Sequence, residues 1–246
     1  MKLGVVVFPG SNCDHDVYHV WKHVLGQESA FLWHDDASLQ GADVVVLPGG
    51  FSYGDYLRAG AMAAQSPIMA AVRRHVDAGG PLLGVCNGFQ ILVETGLLPG
   101  VLRRNAGLRF LSRDVTLRVE RDDLPFTHRY RREQVVRMPI AHGMGNYYAP
   151  AEVLDELERN RQVVFRYCAP DGRVDAADEE SNPNGSERAI AGICNREGNV
   201  LGLMPHPERC AAPILGNEAG AALFESILES LVAAESGAHA AVGVGR

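Results

Sequence analysis

The chain has 246 residues, enough for one large domain or two small ones with a substantial core. Its net charge of −7 argues against a nucleic-acid partner, and no run approaches the ~18–20 apolar residues of a membrane helix. The five cysteines are widely spaced and form no C-x-x-C pair, which argues against a disulfide framework and against a metal site of the zinc-knuckle type. No signal-peptide pattern opens the sequence. We therefore expect a cytoplasmic protein with reduced thiols.

Apolar runs alternate with helical periodicity along the first part of the chain. The runs are rich in Val and Leu, as strands buried on both faces are, and the first two end at Pro and Gly. Strand, helix, strand, helix, strand, helix predicts an α/β fold with a parallel sheet. The predicted strands are 3–8, 42–50 and 81–86, and the predicted helices are 16–26, 60–80 (with Pro67 at a break or first turn) and 88–96.

After Gly100 the pattern becomes that of antiparallel strands. Alternating polar and apolar residues, and a hairpin turn at Glu197-Gly198, replace the earlier strand–helix repeat. We predict one domain over residues 1–235, with these strands added to the parallel sheet, and a disordered tail over 236–246. The predicted segments are strands 114–120, 162–168, 189–195 and 199–206, an apolar segment 134–150 ending in a glycine-rich loop, an acidic loop 178–187 and a helix 217–234.

A cysteine stands between two glycines where a buried strand meets a helix. Gly84, Cys86 and Gly88 have the form of a nucleophile elbow, a sharp turn whose neighbours must be small. Backbone N–H groups and the dipole at the helix N-terminus favour a thiolate there. An inert buried cysteine is the alternative. The context favours a nucleophile.

A nucleophilic cysteine needs a base, and the base needs an orienting group. Among the nine histidines, His206 differs because it follows a predicted strand and precedes Glu208 by two positions. Pro207 between them is expected to keep the chain extended, so that both side chains project to one side. Glu208 then holds the His206 ring in one tautomer. The alternative is a surface turn.

Backbone N–H groups are the expected oxyanion donors. One comes from the residue after the nucleophile, Asn87. The second is placed at the pair Gly49-Gly50, which follows a neighbouring strand, with Gly50 as the donor. A tight turn with no catalytic role is the alternative for this pair.

These residues resemble those of class I glutamine amidotransferases, and further stretches resemble the glutaminase subunits of phosphoribosylformylglycinamidine synthases. The resemblance covers about residues 3 to 229 and implies a flavodoxin-like open parallel sheet flanked by helices. It is carried by "GVCNGFQ" and "HPER", and by "VVVFPGSNCD", "PGGFSYGDYLRAGA", "PIAHGMGNYY" and "NPNGSERAIAGICNREGNVLGLMPHPER".

The resemblance implies a catalytic triad of Cys86, His206 and Glu208 that releases ammonia from L-glutamine. Candidate substrate-binding residues are Gly49, Gln90 and Asn105. Where the family is expected to have His-Gly-Glu-Gly, this chain has Met at position 144, which puts a polar role there in doubt.

The resemblance also implies a division of labour between subunits. The chain has no G-x-x-x-x-G-K-[ST] or G-x-G-x-x-G phosphate motif, so no cofactor is expected on it. The implied partners are a synthetase subunit that uses ATP and Mg²⁺, and a small third subunit. Two other interpretations stay open: a stand-alone cysteine hydrolase or peptidase on a similar sheet, and a non-catalytic binding module. The basic patch 129–133 is either a solvated surface or a contact for a phosphate or an acidic partner.

Overall fold

The structure, a computed structural model, describes the backbone of residues 1–243 and the side chains of residues 1–236. Eleven strands occur within these residues. They are β1 (Lys2–Val7), β2 (Glu28–Trp33), β3 (Val44–Leu47), β4 (Leu82–Val85), β5 (Val101–Arg103), β6 (Leu111–Val119), β7 (Val135–His142), β8 (Asn146–Tyr148), β9 (Val163–Tyr167), β10 (Ile190–Cys194) and β11 (Val200–Leu203).

One nine-stranded sheet, in the order β2-β1-β3-β4-β11-β10-β9-β6-β7, runs through the molecule. Strands β2, β1, β3, β4 and β11 pair in parallel, and we call them the parallel half. Strands β10, β9, β6 and β7 continue the sheet through antiparallel pairs, and we call them the antiparallel half. Strands β5 and β8 form a separate pair. The predicted α/β fold, a parallel sheet with antiparallel additions, is confirmed.

Helices cover the sheet and include one segment of irregular winding. The helix α1 (Asp14–His19) continues into a π-helical turn over Val20–Val24. The others are α2 (Ile68–Asp77), α3 (Asn87–Glu94), α4 (Ala151–Arg159) and α5 (Ala221–Gly243), with single 3₁₀ turns at Ser52–Asp55, Ala63–Gln65, Glu187–Ala189, Pro207–Cys210 and Pro213–Leu215. In the part of the chain that the structure describes, no helix has the length and apolar character needed to cross a membrane.

The predicted helix 60–80 is interrupted at Pro67, as expected, and its first part is not an α-helix. The predicted helix 60–80 is helical only as α2, which starts directly after Pro67, while residues 60–66 form turns. The pyrrolidine ring fixes φ near the helical value and lacks an N–H, so it suits a helix start and not a helix interior.

Strand β2 and helix α4 are among the elements that no pattern predicted. Strand β2 pairs with β1 alone, at the edge of the sheet, and most of its side chains are partly exposed, so it lacks a continuous apolar run. Helix α4 buries only Leu154 and Leu157. Both segments have a weak apolar signal because each contacts the core on a single side.

The C-terminal helix α5 extends beyond the predicted end at residue 234 and continues to Gly243, into the predicted tail 236–246. Residues 244–246 lie outside the described residues, and disorder of the tail stays a prediction.

The parallel half fixes the position of the site. Every residue of β3, β4 and β11 is buried, as expected for strands covered on both faces. Strands β4 and β11 pair in register, Val85 with Leu203, and the Cys86 N–H donates to the Leu203 carbonyl at 2.8 Å. The chain segments that carry Cys86 and His206 therefore leave the sheet side by side.

Candidate active site

Cys86 occupies the sharp turn between β4 and α3. Its backbone has φ 51° and ψ −104°, a conformation that costs free energy for a residue with a Cβ and is typical of functional positions. Gly84 and Gly88 allow the turn: a Cβ on Gly84 would lie 2.8 Å from the Gly88 carbonyl carbon, and a Cβ on Gly88 would overlap the Leu47 carbonyl. The turn therefore has the geometry of a nucleophile elbow, with the thiol at the start of α3.

His206 and Glu208 form a buried pair. The His206 Nδ1–H donates to Glu208 Oε1 at 2.6 Å, and the two residues are 1% and 2% exposed. The expectation that Pro207 keeps the chain extended is wrong, because Pro207 opens a single 3₁₀ turn. The turn nevertheless brings both side chains together, since proline's fixed φ suits the first position of a helical turn.

The electrostatics of His206 favour its imidazolium form. Burial lowers its pKa, but the Glu208 carboxylate and the Cys86 sulfur outweigh burial and raise the pKa well above the usual value. Nε2 is buried and makes no completed hydrogen bond within the described residues, although the thiols of Cys86 and Cys13 both lie close enough to interact with it. The ring is thus oriented on one side and open for proton transfer on the other.

Gly49 lies between three of these side chains. A Cβ there would lie 2.8 Å from His206 Cε1, 2.9 Å from Cys13 Sγ and 3.4 Å from Cys86 Cβ. This predicted substrate-binding residue therefore lets the thiols and the imidazole approach one another. Gly49 is not among the residues that line the cavity beside Cys86.

Cys13 is a second thiol near the site that sequence reasoning did not connect with it. Arg209 Nη2 donates to its sulfur at 3.0 Å, and burial raises the pKa of the Cys13 thiol. Single ligand atoms of Cys13, His206 and Glu208 lie within 4.8 Å of one another, a spacing that a metal ion would accept. Because His206 Nδ1 donates to Glu208 Oε1, a metal ion that left this pair intact would have to bind through His206 Nε2 and Glu208 Oε2, which form no hydrogen bond within residues 1–236.

The predicted oxyanion donors lie beside Cys86. Gly50 has φ 148°, a backbone conformation that favours glycine, and the backbone hydrogen bonds among the described residues leave its N–H unused. Asn87 is the first residue of α3, where N–H groups have no intrahelical acceptor. Two backbone donors are therefore free on either side of the elbow.

A chain of side-chain hydrogen bonds connects the loop after β3 to the loop after β7. Asn87 Oδ1 accepts from the Ser52 N–H at 3.1 Å, and Asn87 Nδ2 donates to Gln90 Oε1 at 2.8 Å. Gln90 Nε2 in turn donates to the Met144 carbonyl at 2.7 Å. Position 144 is therefore held through its backbone, so this contact does not depend on an acidic side chain there.

The Asn105 side chain contacts the segment around His142 and Gly145 and does not line the cavity beside Cys86. Its Nδ2 donates to the carbonyls of Arg109 and His142, both at 2.8 Å, so its Oδ1 is the acceptor of the Gly145 N–H at 3.0 Å. The same oxygen lies 3.1 Å from His142 Nδ1, which must therefore carry the proton. Burial and the nearby His206 charge lower the pKa of His142 to about 4. His142 is thus neutral, and its Nε2 has a free lone pair.

A cavity of about 100 Å³ opens above Cys86. Its walls also include Gly50 and Gln90, two of the predicted site residues, whereas Asn105 does not line it. Sequence reasoning missed Asp55 as a wall residue, although the position lies in the quoted stretch "PGGFSYGDYLRAGA". The remaining lining residues are Phe51, Phe110, Ala141, His142, Gly143 and Met144. A larger depression of about 510 Å³, near the end of α3, contains neither Cys nor His.

This arrangement is suited to acyl transfer through a thioester. It supplies a nucleophile, an imidazole oriented by a carboxylate and two backbone donors. The adjoining cavity has room for a slender acyl group.

Comparison with known proteins agrees with this geometry. The family described as a CobB/CobQ-like glutamine amidotransferase domain matches residues 1–223. Phosphoribosylformylglycinamidine synthase subunit PurQ of Gloeobacter violaceus is 59% identical, over 95% of this chain and 99% of that protein. The PurQ subunit of Moorella thermoacetica is 60% identical, over 93% and 96%.

Solved structures extend the comparison. A chain in the structure of PurLQS from Thermotoga maritima superposes with a TM-score of 0.81 at 42% identity, over 94% of this chain and 98% of that chain. The glutaminase domain of Trypanosoma brucei CTPS, with bound acivicin, has a TM-score of 0.59 at 15% identity over 94% of both chains, and shares the fold. With near-complete relatives at this level of identity, the chain belongs to the glutamine amidotransferase family and, within it, to the PurQ subunits of phosphoribosylformylglycinamidine synthase.

Proposed function

We propose that the chain hydrolyses the side-chain amide of L-glutamine to glutamate and ammonia, as the glutaminase subunit of phosphoribosylformylglycinamidine synthase. The observation that carries this proposal is the buried His206–Glu208 pair beside Cys86 in a chain of the PurQ family. The stand-alone hydrolase or peptidase is not favoured, since near-complete relatives at this identity are synthase subunits.

The reaction begins with attack of the Cys86 thiolate on the amide carbon of glutamine. The tetrahedral oxyanion accepts hydrogen bonds from the backbone N–H groups of Gly50 and Asn87. The His206 imidazolium gives its proton to the amide nitrogen, and the C–N bond breaks to release ammonia and leave a glutamyl thioester.

Hydrolysis of the thioester restores the enzyme. His206, now neutral, takes a proton from water while the oxygen attacks the thioester carbonyl. The C–S bond breaks, glutamate leaves, and the Cys86 thiolate and the His206 imidazolium form again. Glu208 keeps its hydrogen bond with His206 Nδ1 and stabilises the charged ring.

The ammonia is used by a partner. Relatives carry the name of synthase subunits, and one similar chain belongs to a structure of PurLQS. We assign to the synthetase subunit the ATP- and Mg²⁺-dependent conversion of formylglycinamide ribonucleotide to formylglycinamidine ribonucleotide, in purine biosynthesis, and we include a small third subunit. All five cysteines are free thiols, which suits a complex in the cytoplasm.

The test is glutamate release by the purified chain alone, then with synthetase, ATP and formylglycinamide ribonucleotide added in steps. We expect slow release alone and a rise of about 10²-fold with the loaded synthetase, which corresponds to ~3 kcal/mol of coupling. Full activity without the partner would contradict the coupling and support a stand-alone hydrolase. Cleavage of peptides with no action on glutamine would contradict the amidotransferase function.

A further inference from the structure

The loop after Gly50 has an unusual backbone that places Asp55 in the cavity wall. Tyr53, Asp55 and Leu57 all have positive φ, at 54°, 56° and 69°, in the left-handed region that non-glycine residues avoid. Such backbone strain persists only where surrounding contacts enforce it, and it concentrates at binding sites.

Contacts on both sides hold this loop in place. The Tyr53 hydroxyl lies 2.9 Å from His34 Nδ1 and 3.1 Å from Ser66 Oγ. Arg58 donates with Nε and Nη2 to both carboxylate oxygens of Glu94, at 2.9 and 2.6 Å. Asp55 lies between these two anchors, so its carboxylate is positioned before any substrate binds.

Within residues 1–236, the Asp55 carboxylate has no hydrogen-bond or ion-pair partner. Its Oδ1 is buried and accepts no hydrogen bond, and no Lys, Arg or His of residues 1–236 forms an ion pair with it. The nearest basic residue along the loop, Arg58, has its guanidinium engaged with Glu94. Burial raises the pKa of Asp55 to about 6, so the group is still mainly ionised at neutral pH. A half-buried carboxylate without a partner is costly unless a ligand supplies one.

The cavity that Asp55 lines contains acceptors and no cationic side chain. His142 lines the same cavity, and its Nε2 is an acceptor because Nδ1 carries the proton. Neither Lys nor Arg is among the lining residues. Such a cavity favours a ligand that carries a positive charge, and the Cys86 thiol in its wall requires that the same ligand carry an acyl carbon.

Glutamine has both features: an α-ammonium group at one end and an amide carbon at the other. We propose that the Asp55 carboxylate binds the α-ammonium group of glutamine and thereby sets the position of the side-chain amide at Cys86. The proposal rests on the glutaminase function above. It also makes Asp55 a specificity residue, because glutamine within a peptide or acylated at nitrogen lacks the charge that the carboxylate binds.

The test compares Asp55→Asn with the wild-type complex on two substrates, L-glutamine and glutaramate, which is glutamine without its α-amino group. For the wild type we expect kcat/KM to be on the order of 10²-fold higher for glutamine, since a charge-assisted contact is lost with glutaramate. In Asp55→Asn the KM for glutamine rises by about 10²-fold while kcat changes little, and glutaramate kinetics stay at the wild-type level. Equal losses on both substrates, or unchanged discrimination, would overturn the proposal.

Two further variants separate binding from folding. Asp77→Asn makes the same chemical change at an exposed position of α2 and keeps wild-type discrimination. Asp55→Glu keeps the charge and recovers part of the discrimination that Asp55→Asn loses; no recovery, together with a lowered melting temperature in both variants, would indicate a structural role and overturn the proposal. Calorimetry with Cys86→Ala measures glutamine binding without turnover, and adding Asp55→Asn to this background weakens that binding by about 10²-fold.

The two proposals fail in different ways. If the wild-type complex does not release glutamate from glutamine, the glutaminase function is wrong. If the wild type hydrolyses glutamine but Asp55→Asn discriminates between glutamine and glutaramate as the wild type does, only the role of Asp55 is wrong.

Discussion

The parallel and antiparallel halves of the sheet make different contributions to the site. In the parallel half, β4 ends at Cys86, and β11 ends just before His206 and Glu208. In the antiparallel half, β7 ends at His142, which lines the cavity with the loop after it. The groups proposed to react thus come from one half, and part of the wall of the cavity beside Cys86 comes from the other.

Strand direction explains this division. Parallel strands all end at the same edge, so the turns after β3, β4 and β11 converge there without special devices. Among antiparallel strands only every second strand has its carboxyl end at that edge. A residue of the cavity wall that comes from these strands therefore needs further hydrogen bonds to hold it in position. The Asn105 side chain gives that support by holding His142 and the Gly145 backbone. The division predicts that changes at the turns after β4 and β11 alter chemistry, whereas changes in the antiparallel half alter stability or binding.

The largest expected effect is from Cys86→Ala. Glutamate release by the complex should fall by at least about 10⁴-fold, because the variant lacks the thiol that is proposed to form the thioester. Cys194→Ala is the matched control, since Cys194 is a buried cysteine in β10 of the antiparallel half. Residual activity of Cys86→Ala above that level, or an equal loss in Cys194→Ala, would remove the distinction between the halves.

A labelling experiment checks the same assignment. Diazo-oxo-norleucine, a glutamine-like electrophile, should modify Cys86 and leave Cys13 unmodified, as mapped by mass spectrometry. The two thiols both lie beside His206, but burial raises the pKa of the Cys13 thiol. An adduct at Cys13 would show that the wrong thiol has been chosen.

Glu208→Gln should have the next largest effect. It keeps the shape of the His206 partner but removes the charge that supports the imidazolium, so kcat should fall on the order of 10²-fold with little change in KM. Glu158→Gln, which removes a carboxylate that Arg166 contacts at 2.6 Å in the antiparallel half, should leave kcat within about two-fold. Unchanged kcat in Glu208→Gln, with thioester formation rate-limiting, would exclude Glu208 as the orienting residue.

His142 should make the protein sensitive to acid. The pKa of His142 is lowered to about 4 in the folded chain, against about 6.5 in the unfolded chain. Between these two pH values the unfolded chain binds more protons, so the free energy of unfolding falls as the pH falls. From pH 6.5 to pH 4 the free energy of unfolding falls by about 3 kcal/mol because of this group. The free energy of unfolding of His142→Gln, measured with denaturant, should not show this decrease. If the free energy of unfolding changed equally with pH in the wild type and in His142→Gln across this range, His142 would not be neutral in the folded chain.

Arg129→Ala should have the smallest effect. Arg129 forms ion pairs with Glu225 and Glu229 of α5 at 3.2 and 3.5 Å, and about half of its side chain is exposed. The variant should therefore lower the free energy of unfolding by less than about 1 kcal/mol. Glutaminase activity of the complex should not change. A marked loss of activity that appears only when the synthetase is present would show instead that the basic patch 129–133 contacts the partner.

Sequence patterns were sufficient to predict the parallel half, and they singled out the groups that are proposed to react. Buried apolar strands alternating with helices indicated the order of the fold, and the glycines around Cys86 indicated the elbow. The edge strand β2 and the helix α4 were missed because each buries few side chains. Asp55 was missed because nothing in its local pattern distinguishes it from a turn residue.

The sequence by itself determined the elbow at Cys86 and the closeness of His206 to Glu208, because both depend on residues only two positions apart. Only the tertiary structure decided what surrounds them. It brought Cys13 beside His206, joined the Asn105 side chain to His142, and, within residues 1–236, left the Asp55 carboxylate without a hydrogen-bond or ion-pair partner. These contacts join segments far apart in the chain, and they depend on strand order and loop packing, which no local periodicity encodes.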